Sequence, residues 1–164
     1  MSKNKFKGTI RNASLKDLNS ILILEKNFQK DDRWSRDEFY PYLDKNADSK
    51  ADIFIIAFNR SANPDAVKPA GCSFAVFDKP GHADLCSLVV DKKFRNQGLG
   101  LILLNRVCNR LKKAGAKKIS LEVREDNEGA INLYARAGFV KQKILKGYYY
   151  GDKNALRMVR TFTT

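Results

Sequence analysis

The alternation of apolar and polar residues along this chain predicts several short strands. It is clearest between residues 118 and 124, where Ile119, Leu121 and Val123 fall on one side of the segment. Residues 60–71 contain two prolines and are expected to form a loop within a hairpin. The predicted strands cover residues 6–11, 52–59, 72–77, 83–90, 118–124, 139–150 and 154–162.

Helical spacing of apolar residues appears between these strands. Ser14 and Ser35 each precede an acidic residue by three positions, which is typical of a capping box at a helix start. The longest predicted helix covers residues 98–114, and a shorter one over 128–137 follows Asn127 as its N-cap. One face of the long helix is apolar and consists of Leu101, Leu104, Cys108 and Leu111.

The resulting order of elements, βααβββαβαββ, indicates an α/β fold. Such an order predicts one mixed sheet of about seven strands with helices on both faces. A chain of 164 residues is long enough to bury a substantial core. We therefore expect a single domain over residues 1–164.

The chain is strongly basic, which the pattern of apolar and polar residues does not show. The chain carries 31 Lys and Arg against 18 Asp and Glu, a formal net charge of +13. This excess favours polyanionic partners, such as nucleic acid or the phosphates of a nucleotide cofactor. No apolar run approaches the roughly 18 residues of a membrane span, and the first ten residues lack the apolar stretch of a signal peptide. A cytoplasmic location is therefore expected, without a membrane partner.

Cysteine and histidine usage indicates no metal site. Cys72, Cys86 and Cys108 stand in apolar surroundings without CxxC spacing, so we expect them to fill the core. The single histidine, His82, follows Lys79-Pro80-Gly81 and is expected to be a solvated turn residue. A Ser-His-Asp hydrolase and a zinc enzyme are correspondingly disfavoured.

A glycine-containing turn lies between a strand and the long helix, in the sequence Arg95-Asn96-Gln97-Gly98-Leu99-Gly100. Unpaired N–H groups and the positive end of the helix dipole make such a turn a candidate phosphate site. The turn matches neither a Walker A loop nor a complete GxGxxG fingerprint. Taken alone, it is more often only a tight connection.

The residues around this turn resemble those of the GNAT acetyltransferases. Their phosphate motif, Arg/Gln-x-x-Gly-x-Gly/Ala, is met by Arg95, Gly98 and Gly100. The similarity extends over essentially the whole chain and is strongest with the RimI-like group, the ribosomal-protein N-terminal alanine acetyltransferases and their relatives. The matching downstream residues are Leu121-Glu122-Val123-Arg124, Asn127, Ala130-Ile131, Leu133-Tyr134, Gly138-Phe139 and Tyr148-Tyr149, with Trp34-Ser35 upstream.

This resemblance implies a GNAT fold with a cleft for acetyl-CoA between two splayed central strands. It implies Glu122 as general base, acting through a water if the distance requires one, and Tyr134 as the acid that protonates the leaving thiolate. Without the resemblance, Glu122 reads as a surface strand residue and Tyr134 as a core aromatic. The implied cofactor residues are Leu88, Val89, Val90, Arg95, Asn96, Gln97, Gly98, Leu99, Gly100, Leu101 and Asn127. Trp34, Tyr148 and Tyr149 are implied for the acceptor groove.

The acceptor expected from the resemblance is the α-amine of a protein N-terminus, with ribosomal proteins among the candidates. Deprotonating an α-amine at pH 7 costs about 1.4 kcal/mol, against about 4.6 kcal/mol for a lysine side chain. A basic N-terminus needs local negative charge in this basic protein, and four acids near Trp34 are candidates for it: Asp31, Asp32, Asp37 and Glu38.

Two other functions stay open at this point. One is a GNAT enzyme that acetylates a small-molecule amine or an aminoacyl-tRNA, for which the basic surface is suited. The other is a non-catalytic protein that uses its charge to bind ribosomes or nucleic acid. No coiled coil or exposed apolar helix is predicted, so a monomer is expected. The cysteine and histidine usage described above predicts no metal ion.

Overall fold

The computed structural model describes residues 5–28, 30–44, 53–63 and 67–162. Within them the chain forms seven strands and four α-helices in the predicted order. The strands are β1 (Gly8–Asn12), β2 (Ile53–Asn59), β3 (Pro69–Lys79), β4 (His82–Val90), β5 (Lys118–Arg124), β6 (Val140–Tyr149) and β7 (Lys153–Thr161). The helices are α1 (Leu18–Glu25), α2 (Arg36–Leu43), α3 (Leu99–Lys113) and α4 (Glu128–Arg136).

Most bounds differ from the sequence prediction by no more than two residues, and two elements differ in an informative way. Strand β3 begins at Pro69 rather than at residue 72, because Pro69 pairs with Phe58 across the loop. Proline is tolerated there since the first residue of a strand need not donate to the ladder. Helix α1 begins at Leu18, after a 3-10 turn over Leu15–Asp17 in which the Asp17 carboxylate accepts from the Ser14 N–H at 2.9 Å.

The strands form one mixed sheet in the order β1-β2-β3-β4-β5-β7-β6. Both faces of this sheet are covered, as neighbouring residues of β2 show. Ile55 packs in a core with Leu103 and other residues of α3, while Ile56 packs with Ile21 and other residues of α1. Because adjacent strand residues point to opposite faces, α1 and α3 lie on opposite sides of the sheet. The predicted fold class is therefore confirmed.

Strands β4 and β5 are parallel neighbours that pair over only a short distance. Their register runs from His82 opposite Lys118 to Asp84 opposite Ser120 and ends there, although β4 continues to Val90. Beyond Asp84 the two strands therefore separate, and the β4 edge that faces β5 has no ladder partner among the described residues. This separation opens a cleft in the middle of the sheet.

No helix in the described residues combines the length and the apolar character that a membrane crossing requires.

Candidate active site

The cleft between the separated strands has a volume of about 1090 Å³. Its walls come mainly from the end of β4, the turn after it and α4. All eleven predicted cofactor residues line this cleft, as does Tyr134. Glu122, Trp34, Tyr148 and Tyr149 are not among the lining residues. The predicted cofactor residues thus line one cleft. The predicted base and the predicted acceptor residues lie outside its lining.

The turn before α3 presents a row of free backbone donors to the cleft. Gly98 is the N-cap of α3, and among the described residues no acceptor is bonded to the N–H groups of residues 98–101. Those groups are the ones that an α-helix leaves unpaired at its start, where its dipole is positive. An anion of the size of a phosphate group fits this arrangement.

Glycine is required at two positions of this turn for different reasons. Gly98 has φ = +82°, a left-handed conformation that favours glycine, and open space surrounds its α-carbon. At Gly100 a β-carbon would lie 3.2 Å from Leu133 Cδ2 and 3.7 Å from Val90 Cγ2. The short distance keeps α3 close to α4 and leaves the backbone accessible from the cleft.

Positive side chains border the same end of the cleft. Lys5, Arg95 and Arg136 are lining residues. The Nε of Arg95 donates to the Val90 carbonyl oxygen at 3.1 Å, which holds the guanidinium beside the turn. The backbone donors and these cations together fit a pyrophosphate.

Glu122 lies on β5 on the face opposite the apolar residues of that strand, as predicted. Its side chain is 15% exposed, and its Oε1 accepts from Arg157, at 2.6 Å from Nε and 2.5 Å from a terminal nitrogen. Among the described residues nothing donates to Oε2. Arg157 therefore orients the carboxylate and leaves one of its oxygens available to accept a proton.

Tyr134 projects from α4 into the cleft with its ring packed edge-on against Phe139, at 5.9 Å between centroids. The side chain is 8% exposed. Burial, with a smaller contribution from the nearby Tyr149, raises the pKa of Tyr134 above its ordinary value of 10. The phenol therefore keeps its proton throughout the neutral range. It has no hydrogen-bond partner among the described residues, so the hydroxyl is free to donate.

Comparison with known protein families identifies the family of this chain. The model of the acetyltransferase (GNAT) family matches residues 16–139, about three quarters of the chain. The chain belongs to the GNAT family. The matched range contains the turn before α3, Glu122 and Tyr134.

Individual GNAT relatives agree with this assignment. The chain is 29% identical over 161 residues to an uncharacterized N-acetyltransferase of Methanocaldococcus jannaschii, covering 93% of this chain and 66% of that protein. It is 40% identical over 67 residues to the ribosomal protein bS18-alanine N-acetyltransferase of Escherichia coli, covering 41% of this chain and 45% of that enzyme. These alignments therefore span between about half and two thirds of the curated relatives.

A solved GNAT structure matches over more of the chain. The crystal structure of the ribosomal-protein-S18-alanine N-acetyltransferase from Escherichia coli has a TM-score of 0.79 to this fold at 26% identity. The match covers 96% of this chain and 95% of that one. The resemblance to the GNAT acetyltransferases read from the sequence is confirmed, and a ribosomal-protein alanine N-acetyltransferase is among the similar proteins.

In this GNAT chain the two predicted tyrosines of the acceptor groove lie beside Glu122. The Tyr149 hydroxyl donates to the backbone carbonyl of Glu122 at 3.2 Å, and its ring lies 5.9 Å from the Arg124 guanidinium. Tyr148 contacts Tyr149 edge-on at 5.1 Å and is half exposed. The β6–β7 hairpin thus reaches the β5 residue predicted to be the base.

Trp34 occupies a different environment. Its indole packs against Phe74 at 4.9 Å and Phe39 at 5.5 Å, within the core beneath α1 and α2. The indole ring thus packs against core residues and does not line the cleft. A role of Trp34 in an acceptor groove stays a prediction.

The acids near Trp34 are largely engaged in other contacts. Asp32 pairs with Arg124 at 3.1 Å, and the Glu38 carboxylate accepts from the Ser35 N–H at 2.6 Å as part of the α2 cap. Asp37 also lies in the first turn of α2, and the side chain of Asp31 lies outside the described residues. Arg124 thus neutralises Asp32, whereas Ser35 fixes the Glu38 carboxylate without neutralising its charge.

Glu25, at the end of α1, is a buried acid that the sequence did not single out. Its side chain is 2% exposed, and Oε2 accepts from the Trp34 N–H at 3.0 Å while Oε1 is buried without a partner among the described residues. Burial raises the pKa of Glu25 from 4.5 to about 7, against the opposing effects of the Trp34 N–H and Arg33. The carboxyl is therefore more easily protonated in the folded state.

The raised pKa of Glu25 predicts a specific pH dependence of stability. Its contribution is fully present below pH 4.5, the unfolded value, and is lost as the pH rises through about 7. A shift of this size corresponds to about 3 kcal/mol of unfolding free energy. Between pH 4.5 and pH 8, the unfolding free energy of the unsubstituted protein should therefore fall by about 3 kcal/mol more than that of Glu25→Gln. Denaturant unfolding followed by Trp34 fluorescence at both pH values measures this difference, and parallel pH profiles would contradict it.

The prediction for His82 was wrong. Its side chain is 15% exposed rather than solvated, and its Nδ1 lies 2.5 Å from Asp78 Oδ1. The hairpin brings Asp78 and Asp84 to the same face as His82, while parallel pairing adds Ser120 from β5, with Oγ 3.2 Å from Nε2. Residues that are distant in sequence, or separated by a turn, thus surround a histidine that looked isolated.

Sequence reasoning also missed the partners of the predicted residues. Arg157 orients Glu122 only because the register of β7 places it opposite Glu122. Asn27 and Phe28 border the cleft from the segment after α1, and the Asn27 side chain accepts from the Lys92 N–H at 3.2 Å. Cross-strand register and contacts between distant segments carry no signal in a single sequence.

Proposed function

We propose that this chain is an acetyl-CoA-dependent N-acetyltransferase whose acceptor is the α-amine of a protein N-terminus. The single observation that carries the proposal is the cleft between β4 and β5, with a phosphate-binding turn at one end and Tyr134 in its wall. Glu122 lies on β5, the strand that borders the cleft. A single catalytic domain over residues 1–164, a cytoplasmic location and a monomeric state stay predictions from the sequence.

The proposed donor site follows from the chain's own groups. When bound, acetyl-CoA supplies an acetyl group activated as a thioester. The free N–H groups of residues 98–101 hold the pyrophosphate, assisted by Arg95. The edge of β4 at residues 88–90, where only the Val90 carbonyl is engaged by Arg95, offers backbone groups to the pantetheine arm and the acetyl carbonyl. Asn127 combines capping of α4, through the Ala130 N–H at 3.1 Å, with a place in the cleft wall.

Glu122 is proposed to accept the proton of the acceptor amine. Its Oε2 is available, and Arg157 fixes the carboxylate through Oε1. An α-amine requires only about 1.4 kcal/mol for deprotonation at pH 7, so a carboxylate acting directly or through one water is a sufficient base. A lysine side chain requires about 4.6 kcal/mol and is the less favourable acceptor for the same group.

Tyr134 is proposed to donate its hydroxyl proton toward the departing sulfur. With a pKa above 10, the phenol is a weaker acid than a thiol of pKa about 8.5, and full transfer costs more than about 2 kcal/mol. The hydroxyl therefore stabilises the developing thiolate mainly as a hydrogen-bond donor. The reaction balances in protons, because the amine loses one proton to Glu122 and the free thiol of CoA finally carries one.

A protein N-terminus is favoured as acceptor by the groups around Glu122. Tyr148 and Tyr149 border it from the β6–β7 hairpin, and aromatic side chains of this kind bind peptide backbone and side chains. The relatives support the same class, since the Escherichia coli enzyme is named for acetylation of the alanine of ribosomal protein bS18. A ribosomal protein is accordingly proposed as the first acceptor to test.

Acceptor competition tests the proposal. Turnover of acetyl-CoA is measured with peptides bearing different N-terminal residues, and with Nα-blocked lysine peptides, polyamines and aminoacyl-tRNA as controls. The proposal predicts the highest kcat/KM for one or more free N-terminal peptides. Preference for a polyamine or for aminoacyl-tRNA would contradict the acceptor class, and absence of turnover on every acceptor would contradict the activity itself.

A further inference from the structure

A cluster of polar side chains lies at the turn of the β3–β4 hairpin, at the end of the sheet where β4 pairs with β5. We refer to Asp78, His82 and Asp84 as the hairpin cluster. Their ligand atoms, one from each residue, all lie within 4.8 Å of one another. None of these residues lines the cofactor cleft.

Three polar contacts connect the members of the cluster with one another and with Ser120. The Ser120 hydroxyl donates its single proton to Asp84 Oδ1. Ser120 Oγ can then engage His82 Nε2, 3.2 Å away, only by accepting a proton from it. On the other side of the ring, His82 Nδ1 lies 2.5 Å from Asp78 Oδ1. Ser120 thus orients the ring through Nε2, and Nδ1 is the nitrogen that faces the carboxylate of Asp78.

The backbone is shaped to aim Asp78 at the other two residues. The register of β3 with β4 shifts between Phe77 and Lys79, so Asp78 sits in an irregularity of the ladder. Such a bulge redirects a side chain and is often found beside functional groups. His82 and Asp84 are two residues apart on one strand and therefore share the same face.

We propose that the hairpin cluster binds one divalent transition-metal cation of the Zn²⁺ type through Asp78, His82 and Asp84. One imidazole and two carboxylates are ligands that this class of ion accepts, with water completing the coordination. Ser120 is the positioning residue, since it hydrogen-bonds both the second ring nitrogen of His82 and the Asp84 carboxylate. Metal-binding histidines and carboxylates are commonly oriented by such outer hydrogen bonds.

The site is accessible, and its charge limits its affinity. The side chains of Asp78 and His82 are 35% and 15% exposed, so an ion and its waters can reach them. Lys79 acts electrostatically on Asp78 and opposes cation binding. Micromolar affinity is therefore expected. Since Ser120 lies in β5, an ion here would also reinforce the short β4–β5 pairing below the cleft.

Calorimetric titration of the chelator-treated full chain with zinc chloride tests the proposal. One ion per chain is expected, bound at least about tenfold more weakly by Asp78→Asn and His82→Gln. Cys86→Ser is the matched control, because Cys86 follows Asp84 by two residues and offers a competing thiol; it should bind zinc unchanged. Zinc should also raise the melting temperature of the unsubstituted protein by several degrees and leave that of Asp78→Asn nearly unchanged.

Absence of saturable zinc binding up to about a hundred micromolar would overturn the proposal. Equal affinity in Asp78→Asn would overturn it as well, as would loss of binding in Cys86→Ser. Asp78 lies at the hairpin surface, so its substitution tests the site even if His82→Gln fails to fold.

Discussion

Substitution of Glu122 by glutamine should lower kcat/KM for an N-terminal peptide by about a hundredfold to ten-thousandfold at pH 7. The amide cannot accept a proton from the amine, yet its oxygen can still accept from Arg157, so the fold and the orientation of residue 122 are retained. The effect should lie mainly in kcat, because the carboxylate is proposed to act on the reacting amine. Steady-state kinetics with saturating acetyl-CoA measures it.

The pH dependence of this deficit separates loss of a base from a general disturbance. At pH 7 about one tenth of an α-amine is unprotonated, whereas at pH 9 about nine tenths is. The deficit of Glu122→Gln should therefore shrink by about tenfold between these pH values. Glu125→Gln, which alters an exposed acid three residues along, serves as the control and should leave the rate unchanged. A pH-independent deficit would contradict the role of base.

Substitution of Tyr134 by phenylalanine should lower kcat by about a hundredfold while changing KM for acetyl-CoA by less than about twofold. Only the hydroxyl is removed, and the ring keeps its contact with Phe139. Since the hydroxyl has no partner among the described residues, its loss leaves no donor or acceptor unpaired in the core. Stability should therefore stay within about 0.5 kcal/mol.

The control for this substitution is Tyr150→Phe, which removes a phenol that is 78% exposed and has no proposed role. Its kcat should equal that of the unsubstituted enzyme. If Tyr134→Phe retained full kcat, the donor to the departing thiolate would have to be another group or water.

The fold was predictable because its signals are local. Alternation along β5 and helical spacing along α3 are properties of short windows, and both elements form where the pattern indicates. The two-sided packing also follows, because Ile55 and Ile56 are adjacent and one residue of each such pair must face each layer of helices. Bounds set by pairing were less accurate, as β3 shows: its start depends on the contact of Pro69 with Phe58 across a loop.

The candidate site was predictable only in part. The turn at residues 95–100 combines a local glycine motif with a helix start, and the structure places it in the cleft. The partner of Glu122 was not predictable, since Arg157 is 35 residues away and reaches it through strand register. The burial of Glu25 and the contacts of His82 depend on packing between segments distant in sequence. The hairpin itself was predicted, but not that Asp78 and Asp84, at positions −4 and +2 from His82, would lie against the imidazole.

The central claim is that acetyl-CoA bound in the β4–β5 cleft acetylates an α-amine. Its most direct test is incubation of the protein with acetyl-CoA and a peptide that carries both a free N-terminus and an internal lysine, followed by tandem mass spectrometry of the product. The account predicts one acetyl group on the N-terminal nitrogen and an unmodified lysine. An acetyl group on the lysine side chain, with the N-terminus left free, would contradict it.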